Sequence, residues 1–222
     1  MSSLLVAVNS ALARLGQPAI TSLEDTVSGS VPSIVSNIVA TLVPSILTEA
    51  DWNFARTTAK LAKVSGITSK GYLYSFALPT SPQCLKPVQI SLDNGDSYYD
   101  IDQYLNHNSG PPASKFDIDE KYLLANIEPI WIKYTGLVDV AKWDSSLIEA
   151  FVLILAAELA YPLTASSSLA AELYAKGNRK LRKAKFQNAL ARNITQNNGE
   201  VLSVRGVDSD QFLRADMSEE AE

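Results

Sequence analysis

The sequence predicts an α+β protein: an α-helical bundle with a small antiparallel β-domain inserted between its second and third long helices, and an extended C-terminal arm. Three observations carry this. Four segments repeat apolar residues at three- and four-residue spacing, the mark of a helix with one buried face. Between residues 62 and 139 that period gives way to alternation and turn signals. After about residue 195 neither period continues. The helical part is therefore expected at 1–61 and 140–195, the β-rich insertion at 62–139 and the arm at 196–222.

The first helix is capped by Ser2 or Ser3 and repeats Leu4, Leu5, Val8, Ala11, Leu12 and Leu15, until Gly16 and Pro18 stop it. The second begins after Ser28-Gly29-Ser30, with Pro32 in its first turn and Val31, Ile34, Val35, Ile38, Val39, Leu42, Ile46 and Leu47 as apolar positions. Pro44 lies inside it, lacks a backbone donor and crowds the carbonyl four residues back, so a kink is expected there. Trp52 and Phe54 read as core anchors closing this helix.

In the middle segment Tyr72, Tyr74 and Phe76 alternate with smaller residues up to Pro79, as a strand does. Val88–Leu92 reads as a second strand, Asp93-Asn94-Gly95-Asp96 as a turn, and Tyr98–Ile101 as its returning partner. Asn106–Ser114, with Gly110-Pro111-Pro112, reads as an exposed loop. Lys115–Ile118 and Tyr122–Leu124 flank a tight Asp119-Glu120 turn, and Ile130–Tyr134 makes the last strand.

The third helix starts at Asp144 or Ser146, where Ser146 and Glu149 have capping-box spacing, and is expected to stop at Pro162. It is apolar nearly all round and should be the most buried helix. The fourth is capped among Ser166, Ser167 and Ser168, runs to about Ile194, and turns Leu169, Leu173, Leu181 and Ala184 inward. The polar stretch Thr195–Gly199 then leads into the arm, whose few apolar anchors suit ordering against a partner.

Composition narrows the function. The chain has 222 residues, 46% hydrophobic and 19% charged. That length buries roughly 70% of its unfolded surface, so neither disulfides nor metal are needed for stability. One cysteine, Cys84, excludes an internal disulfide and any multi-cysteine zinc site; one histidine, His107, excludes a His-pair site. The longest apolar run, Ala150–Ala160, is short for a bilayer and carries Glu158, and no secretory leader pattern opens the chain. A soluble intracellular product, with no membrane partner, is expected. The net charge of −5 sits entirely in Asp208–Glu222, where six acids face Arg214 alone; residues 1–207 carry eighteen acids and eighteen bases. Lys176, Arg179, Lys180, Arg182, Lys183, Lys185 and Arg192 form a basic stretch free of acids.

Catalytic patterns are sparse. There is no phosphate loop, no dinucleotide fingerprint and no nucleophile elbow. A Cys84/His107 dyad is conceivable, against the plainer reading of a small buried side chain and a surface histidine. Asp117 with Asp119, and Asp139 with Asp144 around Trp143, are paired acids of the kind that hydrolyse glycosides, but each sits where turns and caps use acids. Asp93–Asp96 lacks the spacing of a calcium loop. No enzyme, cofactor or metal site is expected. The basic stretch can be a solvated face, a contact with a neighbouring subunit's acids through Arg179, Arg182, Lys183 and Lys185, or a nucleic-acid contact; the acidic chain and the absence of interleaved aromatics argue against the last.

Several pieces resemble a known family. Ala7-Val8-Asn9, the run Leu12–Pro18 (LARLGQP) and Ile20, Ser22 and Leu23 resemble the opening of the tail tubular protein A family, the head–tail adaptors of short-tailed bacteriophages. Trp52-Asn53-Phe54-Ala55 stands where that family has an aromatic motif. Tyr74–Pro79 followed by Cys84-Leu85 is similar to a strand of related adaptors, and Ala156–Thr164 resembles the helix end that closes their β-insertion. The resemblance covers residues 4–195 in the family's order; Pro44 and the acidic end depart from it.

The resemblance implies a ring of twelve subunits under the portal protein, at the head–tail junction of the virion, after synthesis in the host cytoplasm. The ring would lead genomic DNA into the tail tube or nozzle protein without sequence-specific binding. The arm, with Val201, Val204, Phe212 and Leu213, would reach the portal. Insertion loops carrying Asn94, Gly95, Asn108 and Gly110 would face the tail. Alternatives are a neck or head-completion protein of a long-tailed phage, a DNA-binding packaging component, and a virion-associated hydrolase working through Asp117 and Asp119.

Overall fold

The computed structural model describes residues 3–24, 27, 29–65, 71–91, 98–101, 116–119, 121–128 and 130–196. Among them are four α-helices and two antiparallel sheets of four strands each, a mixed helix-and-sheet protein. The chain divides after Asn188 into two compact units, 1–188 and 189–222. All the described strands belong to the first.

Helix α1 (Ser3–Arg14) buries Leu5, Ala7, Val8, Ala11 and Leu12, the face its spacing predicts. It ends at Gly16, whose φ of 68° is the left-handed conformation that glycine adopts without strain. Asn9 then holds the connection that follows: its Nδ2 donates to Ile20 O at 3.0 Å and its Oδ1 accepts from Ile20 N at 2.9 Å. Helix α2 (Val31–Thr48) is capped by Ser30, whose hydroxyl accepts from Ser33 N, with Pro32 in the turn where a missing donor costs nothing. It continues through Pro44.

Strands β1 (Arg56–Lys60), β2 (Ala62–Val64), β3 (Tyr74–Ala77), β4 (Cys84–Ser91), β5 (Tyr99–Asp100), β6 (Phe116–Asp119), β7 (Tyr122–Ala125) and β8 (Trp131–Gly136) follow. The first sheet has the order β1-β8-β4-β5 and the second β2-β3-β7-β6. Pairing of β5 back on β4 (Gln89 opposite Asp100) and of β6 on β7 (Asp119 opposite Tyr122) follows the predicted hairpins.

Three strands depart from the sequence reading: β2, which it did not single out, and β1 and β4. β1 lies at 56–60, inside the segment 1–61 expected to be helical, and pairs along its whole length with β8. Arg-Thr-Thr-Ala-Lys carries no apolar alternation because an edge strand with one shallow face needs none. β4 begins four residues before Val88 and passes through Pro87. The ladder to β8 is irregular between Cys84 and Lys86 and again between Pro87 and Gln89, and such bulges are where a proline fits inside a sheet.

After a single 3₁₀ turn (Val140–Lys142) come α3 (Ser145–Thr164) and α4 (Ser167–Gln196). Eleven of the twenty residues of α3 are buried, which makes it the central helix, packed against α1 and α2. The expected capping box does not form. Asp144 is the N-cap, Ser146 lies within the first turn, and Glu149 pairs with Lys180 of α4. Nor does Pro162 stop the helix. Pro162 and Glu158, whose carbonyl loses its donor, are both exposed, and α3 ends at Ala165 in the left-handed conformation (φ 55°). Helices α2 and α3 are each long and apolar enough to cross a membrane by length and composition; α3 is mostly buried here, α2 mostly half-buried.

The apolar residues form two clusters. One joins α1, α2 and α3 with Trp52, Trp143 and the inward residues Leu173, Leu181 and Ala184 of α4. The other lies among the strands and includes Phe76, Ile90, Phe116, Ile130, Ile132 and Tyr134.

Candidate interaction surfaces

Trp52 and Phe54 sit in the connection between α2 and β1. Trp52 is fully buried, its indole N–H donating to Ile46 O at 3.0 Å near the end of α2. An aromatic row runs from it: Trp52 stacks on Phe54 (5.9 Å between ring centres), Phe54 meets Trp143 (6.4 Å), and Trp143 meets Phe151 of α3 edge-on (5.4 Å). These rings tie the end of α2 and the 3₁₀ turn to the central helix, in the offset and edge-on geometries that ring quadrupoles favour.

The same connection is clamped from α4. Asn188 accepts from Asn53 N (2.9 Å) and donates to Asp51 O (2.9 Å), while Asn53 Nδ2 donates to Asn188 O (3.3 Å). Asp51 also pairs with Arg56, the first residue of β1. Asn188 continues the inward stripe Leu173, Gly177, Leu181, Ala184 as its polar last member. The sequence reading missed it; its signal was a polar residue in phase with apolar ones.

The basic residues of α4 divide into two groups. Lys176 pairs with Glu172 one turn earlier, Lys180 with Glu149 of α3 at 2.9 Å, and Lys185 with Glu49 beyond α2 at 2.6 Å. The hydrogen bond from Lys176, and then its charge, hold the Glu172 carboxyl below its ordinary pKa. Lys185 is thus engaged within the chain rather than free for a neighbour. Arg179, Arg182 and Lys183 are exposed and make no ion pair among the described residues.

An open groove of about 350 Å³ lies between the end of α3 and the start of α4, lined by Ala157, Glu158, Tyr161, Ala170, Ala171 and Tyr174. Both tyrosines are exposed, Tyr161 at 67% and Tyr174 at 49%. Phe186, further along α4, is 64% exposed. Sequence reasoning passed over all three: Phe186 is a large ring out of phase with the core stripe of α4, while Tyr161 and Tyr174 stand seven residues from the buried Ile154 and Leu181 and so have the spacing of core positions.

The catalytic candidates come apart. Cys84 is half-buried, and burial pushes its thiol up to about 11, the wrong direction for a nucleophile. Asp139 accepts from Ala141 N (2.7 Å) as the cap of the 3₁₀ turn and also takes the Ser3 hydroxyl, while Asp144 starts α3. Asp117, on β6, accepts from Ile118 N at 2.8 Å, and Asp119 stands at the β6–β7 turn. Among the described residues no three His, Cys, Asp or Glu side chains gather as a metal site. His107, Asn94, Gly95, Asn108, Gly110, Val201, Val204, Phe212 and Leu213 lie outside the described residues.

No protein-family model matches this sequence, and no curated protein is significantly similar to it. A functional reading therefore rests on the surfaces above and on the resemblance of the sequence pieces.

Proposed function

We propose that the chain is a structural head–tail adaptor of a bacteriophage virion, not an enzyme, which forms a ring under the portal protein and links it to the tail tube or nozzle. In this reading the helices are the ring-forming body, the strands a β-domain inserted between α2 and α3, and the C-terminal arm the part that reaches the portal. One observation carries most of the support: every described strand falls in sequence between α2 and α3, and the buried apolar residues form one cluster centred on the helices and another among the strands, with Leu85 of β4 packed on the first. That is the layout expected of a helical body interrupted by an insertion.

Charge supports the same reading. DNA affinity comes mainly from Lys and Arg on phosphates, and firm binders make about 6–10 such contacts. On α4 only Arg179, Arg182 and Lys183 remain outside intrachain pairs among the described residues with side chains in view. A channel protein must let DNA pass without holding it, and a basic helix that engages Lys176, Lys180 and Lys185 on intrachain acids suits that. The same three residues favour the second reading, a DNA-binding packaging component. Its affinity would fall with salt with a log–log slope of about −3 where these three residues alone meet phosphates.

The test is the light-scattering mass of the full chain mixed with the intact portal ring from the same genome. A stoichiometric multi-subunit complex, ring-shaped by electron microscopy, is expected. No complex at any ratio overturns the adaptor reading. Loss of binding on deleting residues 200–222 supports the arm assignment, and unchanged binding removes it.

A further inference from the structure

Arg179, Arg182, Lys183 and Phe186 fall at positions i, i+3, i+4 and i+7 of α4, which places them on one stripe, opposite the buried Leu173, Leu181 and Ala184. The stripe is basic with one exposed aromatic ring at its end. The α3–α4 groove has the complementary character: three alanines make a shallow apolar floor, two exposed tyrosines its walls, and Glu158 its acid. Glu158 makes no ion pair among the described residues, although it is the single charge on α3 after Glu149. A cavity of about 150 Å³ accepts a benzene ring, so a groove of about 350 Å³ holds a phenylalanine ring and part of an arginine beside it.

One copy cannot join these two surfaces. Phe186 stands twelve residues beyond Tyr174 on the same continuous helix, about 18 Å along its axis. We infer that the Arg179–Phe186 stripe of one copy docks in the Tyr161/Tyr174 groove of a second copy, Phe186 between the tyrosines and Arg182 against Glu158. The contact is heterologous: each copy offers a stripe on one side and a groove on another, so successive copies join head to tail and close into a ring where the rotation allows. Aromatic and arginine side chains in a desolvated groove are the usual anchors of such interfaces, and an unpaired acid facing a basic stripe selects the partner and its register.

This deepens the ring reading by naming the surfaces that join subunits, and it rests on that reading only for ring closure. The experiment uses the full chain and measures its mass by light scattering and sedimentation up to about 1 mM, a range that captures weak interfaces. Concentration-dependent association is expected. Phe186→Ala weakens it by about thirtyfold. Arg182→Glu and Glu158→Arg each weaken it about tenfold, and the double variant restores it, because the pair is rebuilt with its charges exchanged. A Phe186→Ala chain and an Ala171→Glu chain, each impaired alone, pair one to one when mixed, which a heterologous contact requires.

All these positions are at the surface, and unchanged thermal unfolding of each variant separates an interface effect from misfolding. A chain that stays monomeric throughout, or association indifferent to Phe186→Ala, overturns the inference. So does duplex DNA binding that vanishes with Arg182→Glu while no self-association is seen; the stripe would then belong to nucleic acid. Absent portal binding with self-association intact would instead remove the adaptor reading and leave this interface standing.

Discussion

Asn188 and Asn53 grip each other across 135 residues of sequence: the side chain of Asn188 accepts the Asn53 backbone N–H at 2.9 Å, and the side chain of Asn53 donates to the Asn188 carbonyl at 3.3 Å. With the further bond to Asp51 O, Asn188 holds the turn that converts α2 into β1. Asn188→Ala removes two side-chain hydrogen bonds and leaves a main-chain donor and acceptor unpaired, so a loss of about 2–3 kcal/mol is expected in chemical denaturation. Asn188→Leu should do no better, because an apolar side chain of similar size leaves the same groups unpaired.

Gly177 decides how closely α4 approaches α3. A Cβ there would stand 2.7 Å from Ile154 Cγ1 and 3.2 Å from Ile154 N. Replacing a helical glycine by alanine ordinarily stabilises by about 1 kcal/mol. Here the steric cost, about 1–3 kcal/mol for an overpacked core, opposes it. Gly177→Ala is therefore expected to destabilise the protein by about 1 kcal/mol. Gly177→Ala combined with Ile154→Ala, which removes Cγ1, should be more stable than Ile154→Ala alone. A Gly177→Ala chain more stable than the parent would contradict this packing.

Much of this architecture is legible in the residues. The spacing from Leu4 to Leu12, the Ser30 cap, and the hairpin about Asp119 each rest on a local rule that tertiary contacts do not oppose. What was not legible depends on partners distant in sequence. Arg56–Lys60 becomes a strand because β8 is there to pair with it. Pro162 reads as a break, yet an exposed last turn absorbs it, and Pro87, just ahead of the strand read at Val88–Leu92, lies inside β4 at a bulge. Ser146 and Glu149 had the spacing of a capping box, but Lys180 lies close enough to take the glutamate. Among the site residues, Arg179, Arg182 and Lys183 could be picked out as a basic run. The groove that complements them could not, because it needs the angle between two helices.

Asn9 makes its two hydrogen bonds to the backbone of Ile20, eleven residues on, which fixes the segment after α1 onto that helix. Asn9→Ala should speed hydrogen exchange of the Ile20 amide by at least tenfold while leaving slow amides deep in α3 nearly unchanged. A cost of about 1–2 kcal/mol in global stability accompanies it. Asn9→Asp separates the two bonds, since a carboxylate still accepts from Ile20 N but can no longer donate to Ile20 O. It should protect the amide to an intermediate degree. An Ile20 amide that exchanges equally fast in all three chains would show that the side chain does not hold this segment.

Cys84 supplies a pH-dependent term whose sign follows from its direction of shift. Burial raises the thiol to about 11, whereas an unfolded cysteine titrates near about 8.5. Between those values the folded state keeps a proton that the unfolded state has released. Stability therefore falls as pH rises through that window, and the contribution is fully present below it. Tyr134, raised first by burial and then by the nearby Cys84 charge, adds to the same alkaline decline. Unfolding followed from pH 7 to pH 11 should show this decline, shallower in Cys84→Ala, which has no thiol to ionise. The thiol should also react slowly with iodoacetamide at pH 8 in the folded chain and at an ordinary rate in denaturant. Rapid labelling of the native protein would place Cys84 in an activated setting and reopen the nucleophile reading that its burial opposes.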